Sequence, residues 1–178
     1  TWKSFPAIVA GNTFLWKPAT ETPMMAYEMA KVFEEAGIPA GVANIVFGSG
    51  SEVGTAMIEH PDVKVISFTG STETGRSVAE RGGRHLKKVS LEMGGKNAVI
   101  VMDDADLGLA VEGILWSAFG TAGQRCTACS RVIVHKDVKE ELESLLLTAM
   151  EQLTIGDGMD ETVKIGPVIN KKALEKIH

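Results

Sequence analysis

Residues 63–79, VKVISFTGSTETGRSVA, decide the fold of this chain. Residues 63–68 are a short apolar run typical of a strand, and the glycine and serine after it predict a tight turn into a helix that ends near Ala79. Such a turn can bind phosphate, because glycine permits close approach and the free N–H groups of the helix attract anions. The glycine spacing is longer than in the G-x-G-x-x-G fingerprint, so a plain helix cap is the alternative.

The same alternation of strand and helix runs through the rest of the chain. Further strands are predicted at residues 12–16, 44–47, 88–92, 98–102 and 131–135. Helices are predicted at residues 23–36, 51–60 and 138–150, and from the aspartates at 103–106 to residue 119. Because alternating strands and helices indicate parallel strands joined by right-handed crossovers, we predict an α/β fold with a Rossmann-like parallel sheet.

Two further sequence features predict a domain boundary and a buried strand. Gly94 and Gly95 interrupt the alternation, which suggests a boundary between units at residues 1–93 and 94–178. The continuous apolar run Val99-Ile100-Val101 is typical of a strand buried on both faces.

The composition is that of a globular protein. Of the 178 residues, 44% are hydrophobic and 23% charged, which predicts a packed core rather than disorder. The formal net charge of −5 and the scattered lysines and arginines argue against nucleic acid or an anionic membrane as a partner. No apolar run is long enough to span a bilayer, and no signal segment opens the chain. The chain begins abruptly at Thr1-Trp2-Lys3 and stops within a charged, helix-like stretch at residues 171–178. We therefore expect it to be a fragment of a longer protein.

Cys126 and Cys129 leave several interpretations open. A disulfide between them would constrain little of the chain, and zinc would need two further ligands that the four histidines do not supply at a matching spacing. A C-x-x-C thiol oxidoreductase would use both thiols. The neighbouring Gln124 and Arg125 favour Cys126 as a single catalytic thiol, because a nearby positive charge promotes the thiolate, and Cys129 as a structural cysteine.

Glu92 and Lys17 are further candidates for chemistry. Glu92 ends an apolar strand between Leu91 and Met93, so we expect it to be poorly solvated and suited to accept a proton near neutral pH. An exposed glutamate at a strand end is the alternative. Lys17 follows a strand and could bind a ribose hydroxyl or phosphate, although an isolated lysine is more often solvated.

Five motifs in order resemble those of the aldehyde dehydrogenase family across essentially the whole chain. LEMGGK at residues 91–96 resembles the glutamate signature and GQRC at 123–126 the cysteine signature. FTGS at 68–71 with Gly75 resembles the phosphate-binding turn. AGN at 10–12 and KPA at 17–19 resemble the adenosine-ribose loop. The resemblance implies a partial NAD(P)-binding domain at residues 1–93 and the start of a catalytic α/β domain at 94–178.

The resemblance also implies a role for each matching residue. Cys126 attacks the aldehyde to give a thiohemiacetal and then a thioester, its backbone N–H contributes to the oxyanion hole, and Glu92 activates the hydrolytic water. Lys17 contacts the adenosine ribose, whereas Gly70, Ser71 and Gly75 line the pyrophosphate. Lys3 matches, less securely, a lysine near the water-activation route. No metal is implied.

Departures from the family pattern bear on the cofactor and on activity. Thr20 stands where many NAD-preferring members carry glutamate, so the cofactor is NAD or NADP. The family's Pro-Trp-Asn and Glu-x-Phe-Gly-Pro segments, its first Rossmann strand and its oligomerisation arm have no counterpart in this sequence, so the chain alone is expected to be inactive. Family membership also implies a cytoplasmic, homo-oligomeric parent that acts on a small aldehyde.

Two other functions remain alternatives. A CoA-acylating dehydrogenase would transfer the acyl group to CoA, and the presence of Glu92 argues against it. A structural relative could keep the fold without catalysis, and the presence of both Cys126 and Glu92 argues against that.

Overall fold

Helices and strands alternate along residues 2–177, the part of the chain that the computed structural model describes. The strands are β1 (Phe14–Trp16), β2 (Ala43–Ile45), β3 (Val65–Gly70), β4 (Lys88–Met93), β5 (Asn97–Val101) and β6 (Cys129–Val134). The helices are α1 (Ser4–Val9), α2 (Pro23–Glu35), α3 (Thr55–Glu59), α4 (Thr72–Arg84), α5 (Leu107–Phe119), α6 (Lys139–Met150) and α7 (Lys171–Ile177). The chain divides into two compact units, residues 1–93 and 94–178.

The strands pair in parallel, as their alternation with helices predicted. β1 pairs with β2, β3 with β4, and β5 with β6. Within residues 2–177 these pairs form three separate two-stranded sheets rather than one continuous sheet. The predicted α/β class with Rossmann-like parallel strands is confirmed, and each pair brings the carboxyl ends of its two strands to one edge.

Close packing of α4 on β3 and β4 organises the first unit. Gly75 and Gly82 are buried. A Cβ at Gly75 would lie 2.5 Å from Met93 Sδ, and one at Gly82 would lie 2.6 Å from Val89 Cγ2. The absence of these side chains lets the helix approach the strands closely. This packing also explains why α4 reaches Arg84, beyond its predicted end near Ala79, because contacts with the sheet outweigh the low helix propensity of glycine.

The second unit has a small core on one face of its strand pair. Val101, Val111, Ile114 and Leu142 are buried where β5 meets α5 and α6. On the other face Ile100 is 66% exposed, and its register partner on β6 is 54% exposed. The prediction that the apolar run at 99–101 is buried on both faces is therefore wrong, because its side chains alternate between a covered and an uncovered face.

Other elements differ in detail from the sequence prediction. Helix α1 was not predicted, and the predicted helix at 51–60 is divided into a π-helical turn at Gly50–Gly54 and α3. Asp106 is the N-cap among the three aspartates, since its Oδ1 accepts from Leu109 N–H at 3.0 Å. Helix α7 covers the predicted stretch at 171–178 as far as Ile177; Thr1 and His178 lie outside the described residues. No helix within residues 2–177 has the length and apolar character needed to cross a membrane.

Adjacent glycines in α4 provide a matched test of this packing. Gly82→Ala is expected to lower the free energy of unfolding by about 1–3 kcal/mol, because its methyl group would overlap Val89. Gly83→Ala meets nothing within 4 Å and should be neutral or stabilising by up to about 1 kcal/mol, since alanine is the better helix former. Urea unfolding of both variants checks the difference, and equal effects would contradict the close approach at Gly82.

Candidate active site

Cys126 lies in a turn between α5 and β6. The turn spans residues 125–128 and is closed by Ala128 N–H donating to Arg125 O at 3.1 Å; it is called the cysteine turn below. The thiol of Cys126 is exposed, which suits a nucleophile that a substrate must reach. Cys129 is half-buried in β6 and its Sγ donates to Arg131 O at 3.2 Å. Both cysteines are free in this structure.

The backbone just before the cysteine turn is left-handed. Thr121, Ala122 and Gly123 have φ values of 56°, 53° and 66°. Such values are strained for residues with a side chain, and above all for a β-branched threonine. Glycine is required at position 123 for a second reason, because a Cβ there would lie 2.8 Å from Ala118 O. The glycine of GQRC therefore serves the turn geometry.

Arg125 anchors the cysteine turn to the end of α5. Its guanidinium stacks on the Trp116 ring with Cζ 3.9 Å from the centroid, and Nη2 donates to Trp116 O at 3.1 Å. The Nε of Arg125 is buried and has no hydrogen-bond partner among the described residues. The sequence predicted this arginine to promote the thiolate, whereas the contacts seen for its guanidinium are with Trp116.

Asn97 contacts the cysteine turn from β5. Its Nδ2 donates to Cys126 O at 2.7 Å and to Ala128 O at 3.3 Å. Sequence reasoning ended the glutamate motif at Lys96 and missed this residue. The available signal was an asparagine immediately before the strand predicted at 98–102, which alone does not identify a partner 29 residues away.

The one group of three possible metal ligands within residues 2–177 lies elsewhere in this unit. Asp103, His135 and Asp137 have ligand atoms within 4.8 Å of one another. His135 Nδ1 already accepts from Asp137 N–H at 3.4 Å, where it caps the short 3₁₀ turn Lys136–Val138. Neither Cys126 nor Cys129 belongs to this group, so the zinc interpretation of the two cysteines gains no support.

In the first unit, the register of β3 and β4 places Glu92 beside the predicted phosphate-binding turn. Thr69 pairs with Glu92, and Gly70 pairs with Met93. Glu92 is exposed rather than poorly solvated as predicted. The physical reason is the alternation of side chains along a strand, which turns the flanking leucine and methionine to the opposite face.

Lys3, at the start of α1, interacts electrostatically with Glu92. Burial lowers the pKa of Lys3 from its usual value of 10.5, and the negative charge of Glu92 partly opposes this shift. The sequence associated Lys3 with the water-activation route, and the negative charge of Glu92 does act on the pKa of Lys3.

The turn after β3 has the features of an anion site. Ser71 is the N-cap of α4, and its Oγ accepts from Thr74 N–H at 3.1 Å. The amides of Thr72 and Glu73, in the first turn of the helix, have no intrahelical partner, so they are free to donate to a ligand. Gly70 precedes this helix, and a Cβ on it would lie 2.5 Å from the Phe68 ring.

Lys17 lies at the carboxyl edge of the β1–β2 pair. Its Nζ donates to Pro18 O at 2.6 Å and to Gly48 O at 3.3 Å. Gly48 belongs to the loop after β2, whose Ser49 caps the following π-helical turn by accepting from Glu52 N–H at 3.1 Å. Lys17 and the helical turn capped by Ser49 therefore both lie at the carboxyl edge of this strand pair, which is where parallel sheets bind ligands.

The two thiols should differ in reactivity towards iodoacetamide. Cys126 is exposed and Cys129 is half-buried, so Cys126 is expected to be alkylated several-fold faster in the native chain. Peptide mapping by mass spectrometry after timed quenching measures both rates, and the urea-unfolded chain is the control in which they should converge. Equal native rates would favour the dithiol interpretation.

Removing the charge of Glu92 should change the titration of Lys3. Glu92→Gln is expected to lower the pKa of Lys3 further below 10.5, because it removes the charge that opposes the burial effect. The unfolded chain then binds this proton more readily than the folded chain, so stability should rise more steeply with pH just below 10.5.

NMR titration of the chain labelled at lysine Cε measures the pKa of Lys3 directly. Glu73→Gln, on α4 of the same unit, is the control and should leave the Lys3 curve in place. An unchanged or raised Lys3 pKa in Glu92→Gln would contradict the interaction.

Comparison with known proteins identifies the family. The sequence profile of the Aldehyde dehydrogenase family matches residues 1–178. The 1-pyrroline-5-carboxylate dehydrogenases of Geobacillus thermodenitrificans and Halalkalibacterium halodurans are 47% and 48% identical to this chain over 96% of its length. The chain spans 34% of the length of each of these relatives.

Solved structures agree with this assignment. An NADP dependent enzyme from E. coli matches with a TM-score of 0.94 at 47% identity, covering 98% of this chain and 36% of that one. Betaine aldehyde dehydrogenase from Staphylococcus aureus, in complex with NAD+, matches with a TM-score of 0.93 at 38% identity, covering 99% of this chain and 35% of that one. The resemblance seen in the motifs is confirmed, and the chain belongs to the aldehyde dehydrogenase family.

Proposed function

We propose that this chain carries the nucleophile and the general base for oxidation of an aldehyde to a carboxylic acid with NAD or NADP. The observation that carries the proposal is the exposed thiol of Cys126 in a turn that Asn97 and Arg125 hold from two sides. An accessible cysteine on an ordered turn suits covalent catalysis, which divides one difficult step into two easier ones.

The residues of the chain perform the covalent steps. The Cys126 thiolate attacks the aldehyde carbon and forms a thiohemiacetal, whose oxygen the Cys126 backbone N–H stabilises. Bound NAD(P) would supply the two-electron acceptor for the hydride of this carbon, and Cys126 would then hold the acyl group as a thioester. Glu92 takes a proton from water as the water oxygen attacks the thioester, the carboxylic acid is released with the Cys126 thiolate restored, and the proton on Glu92 passes to solvent. The exposure of Glu92 leaves it accessible to that water.

The first unit has residues that fit the dinucleotide. Ser71 caps α4 and leaves amides of its first turn free for the pyrophosphate, with Gly70 before them. The family motif also assigns Gly75 to the pyrophosphate. A Cβ on Gly75 would overlap Met93, so glycine at this position also lets the start of α4 pack closely on β4. In this proposal Lys17, at the carboxyl edge of the β1–β2 pair, binds the adenosine ribose or a 2′-phosphate. Residues 1–93 thus form a partial NAD(P)-binding domain in this proposal, and residues 94–178 a partial catalytic domain.

NAD and NADP are both candidate cofactors for this chain. The E. coli neighbour is described as NADP dependent, and the S. aureus neighbour contains NAD+. Neutral Thr20, three residues after Lys17, places no carboxylate where a 2′-phosphate would be repelled. The substrate is a small aldehyde, and the parent is a cytoplasmic homo-oligomer.

A chimera tests the function. Residues 1–178 replace the matching segment of the Geobacillus 1-pyrroline-5-carboxylate dehydrogenase, and NAD(P)H formation is measured with a panel of aldehydes. Cys126→Ala is expected to reduce turnover by about 10⁴-fold or more, whereas Cys129→Ala, the matched control, should cost little. Glu92→Gln should lower turnover by about 10²–10⁴-fold yet keep a burst of NAD(P)H near one per site, since acylation does not need the base.

Each result separates the alternatives. Equal losses from the two cysteine variants would favour a dithiol enzyme, and a folded chimera without turnover would favour a non-catalytic relative. Loss of burst and turnover together in Glu92→Gln would mean that Glu92 acts before acylation. Turnover that requires added CoA would identify a CoA-acylating enzyme.

A further inference from the structure

We infer that Asn97 is a positioning residue that holds the peptide groups around Cys126 in the orientation needed for acylation. The inference rests on the proposed function, in which Cys126 is the nucleophile. It concerns a residue that contacts the nucleophile's backbone and not the substrate.

The side-chain amide of Asn97 spans the cysteine turn. Its two N–H bonds reach Cys126 O at 2.7 Å and Ala128 O at 3.3 Å, so one group fixes carbonyls on either side of Thr127. The turn has one internal backbone hydrogen bond, from Ala128 N–H to Arg125 O at 3.1 Å. Asn97 therefore provides two of the hydrogen bonds that define the turn, from a strand 29 residues earlier.

An irregularity in the strand pairing lies directly beside Asn97. Asn97 pairs with Cys129, but the next residue, Ala98, pairs with Arg131, so Ser130 is an extra residue on β6. Such bulges bend a strand locally and redirect a side chain. The bulge lies at the start of both strands, immediately after the cysteine turn.

The hydrogen bonds of Asn97 act on the groups that the chemistry uses. Fixing the Cys126 carbonyl restricts rotation of the peptide after Cys126, and the Ala128 contact restricts the far end of the turn. The direction of the thiol depends on the peptide that Asn97 fixes. The Cys126 N–H, the proposed oxyanion donor, belongs to the preceding peptide, whose Arg125 O accepts from Ala128 N–H, so Asn97 acts on it by holding the Ala128 end of the turn. A small misplacement of reacting groups slows a reaction strongly, even where binding is unchanged.

Matched variants test the role of Asn97. Asn97→Ala removes both N–H donors. Asn97→Ser differs from the alanine variant only by a hydroxyl group, which can donate one hydrogen bond. Asn44→Ala is the control, because Asn44 Nδ2 likewise bridges two carbonyls, Gly41 O at 2.9 Å and Phe14 O at 3.3 Å, in the other unit. Each variant is made in the 178-residue chain and in the chimera, so that aggregation of one host does not prevent the measurement.

The first readout is hydrogen exchange of the Ala128 amide. Asn97→Ala should accelerate exchange by about tenfold, the effect of losing a typical hydrogen bond, with Asn97→Ser in between. The second readout is the rate of the NAD(P)H burst in the chimera, which should fall by about tenfold or more while KM changes little. Asn44→Ala should leave both readouts unchanged, even where it lowers the urea midpoint as much as Asn97→Ala does.

Three outcomes would overturn the inference. They are an unchanged burst rate in Asn97→Ala, equal behaviour of the alanine and serine variants, and a fall in burst rate that Asn44→Ala reproduces. Failure of the proposed function is distinguishable, because the chimera with Asn97 intact would then show no burst at all, whereas the exchange measurement would still report on the turn.

Discussion

The parallel pairing of β3 with β4 is the constraint on which the first unit depends. Its register sets Thr69 opposite Glu92 and Gly70 opposite Met93, so two motifs more than 20 residues apart share one edge. The register holds because α4 lies close on both strands. That approach requires glycine at positions 75 and 82, where side chains would overlap Met93 and Val89. Gly75, which belongs to the predicted phosphate-binding motif, therefore has a packing role of its own.

The backbone just before the cysteine turn is strained, and side-chain contacts of the neighbouring turn offset that strain. Thr121 and Ala122 in the left-handed region cost about 1–2 kcal/mol each. The two hydrogen bonds from Asn97 contribute about 0.5–1.5 kcal/mol each, and the stacking of Arg125 on Trp116 about 0.5–1 kcal/mol. These magnitudes are comparable, so the side-chain contacts are sufficient to hold a conformation that the backbone alone disfavours.

The order of strands and helices could be predicted because it follows from local patterns. Apolar runs gave all six strands to within about two residues. Features that depend on distant partners could not be predicted in this way. The length of α4 depends on its packing against the strands, the exposure of Glu92 on strand alternation, and the contact of Asn97 with Cys126 on the pairing of β5 with β6. Glu92 shows that sequence neighbours are a poor guide to solvation within a strand.

The small core of residues 94–178 explains why such local contacts matter around Cys126. Val101, Val111, Ile114 and Leu142 form this core, and burial of each such side chain contributes about 1.5–3 kcal/mol. They lie between α5, α6 and one face of β5, whereas the Cys126 thiol is exposed and its turn adds only Ala128 to the buried residues. Apolar burial therefore cannot order the peptide of Cys126. Its orientation has to come from directional contacts, and Asn97 and Arg125 provide them from opposite ends of the turn.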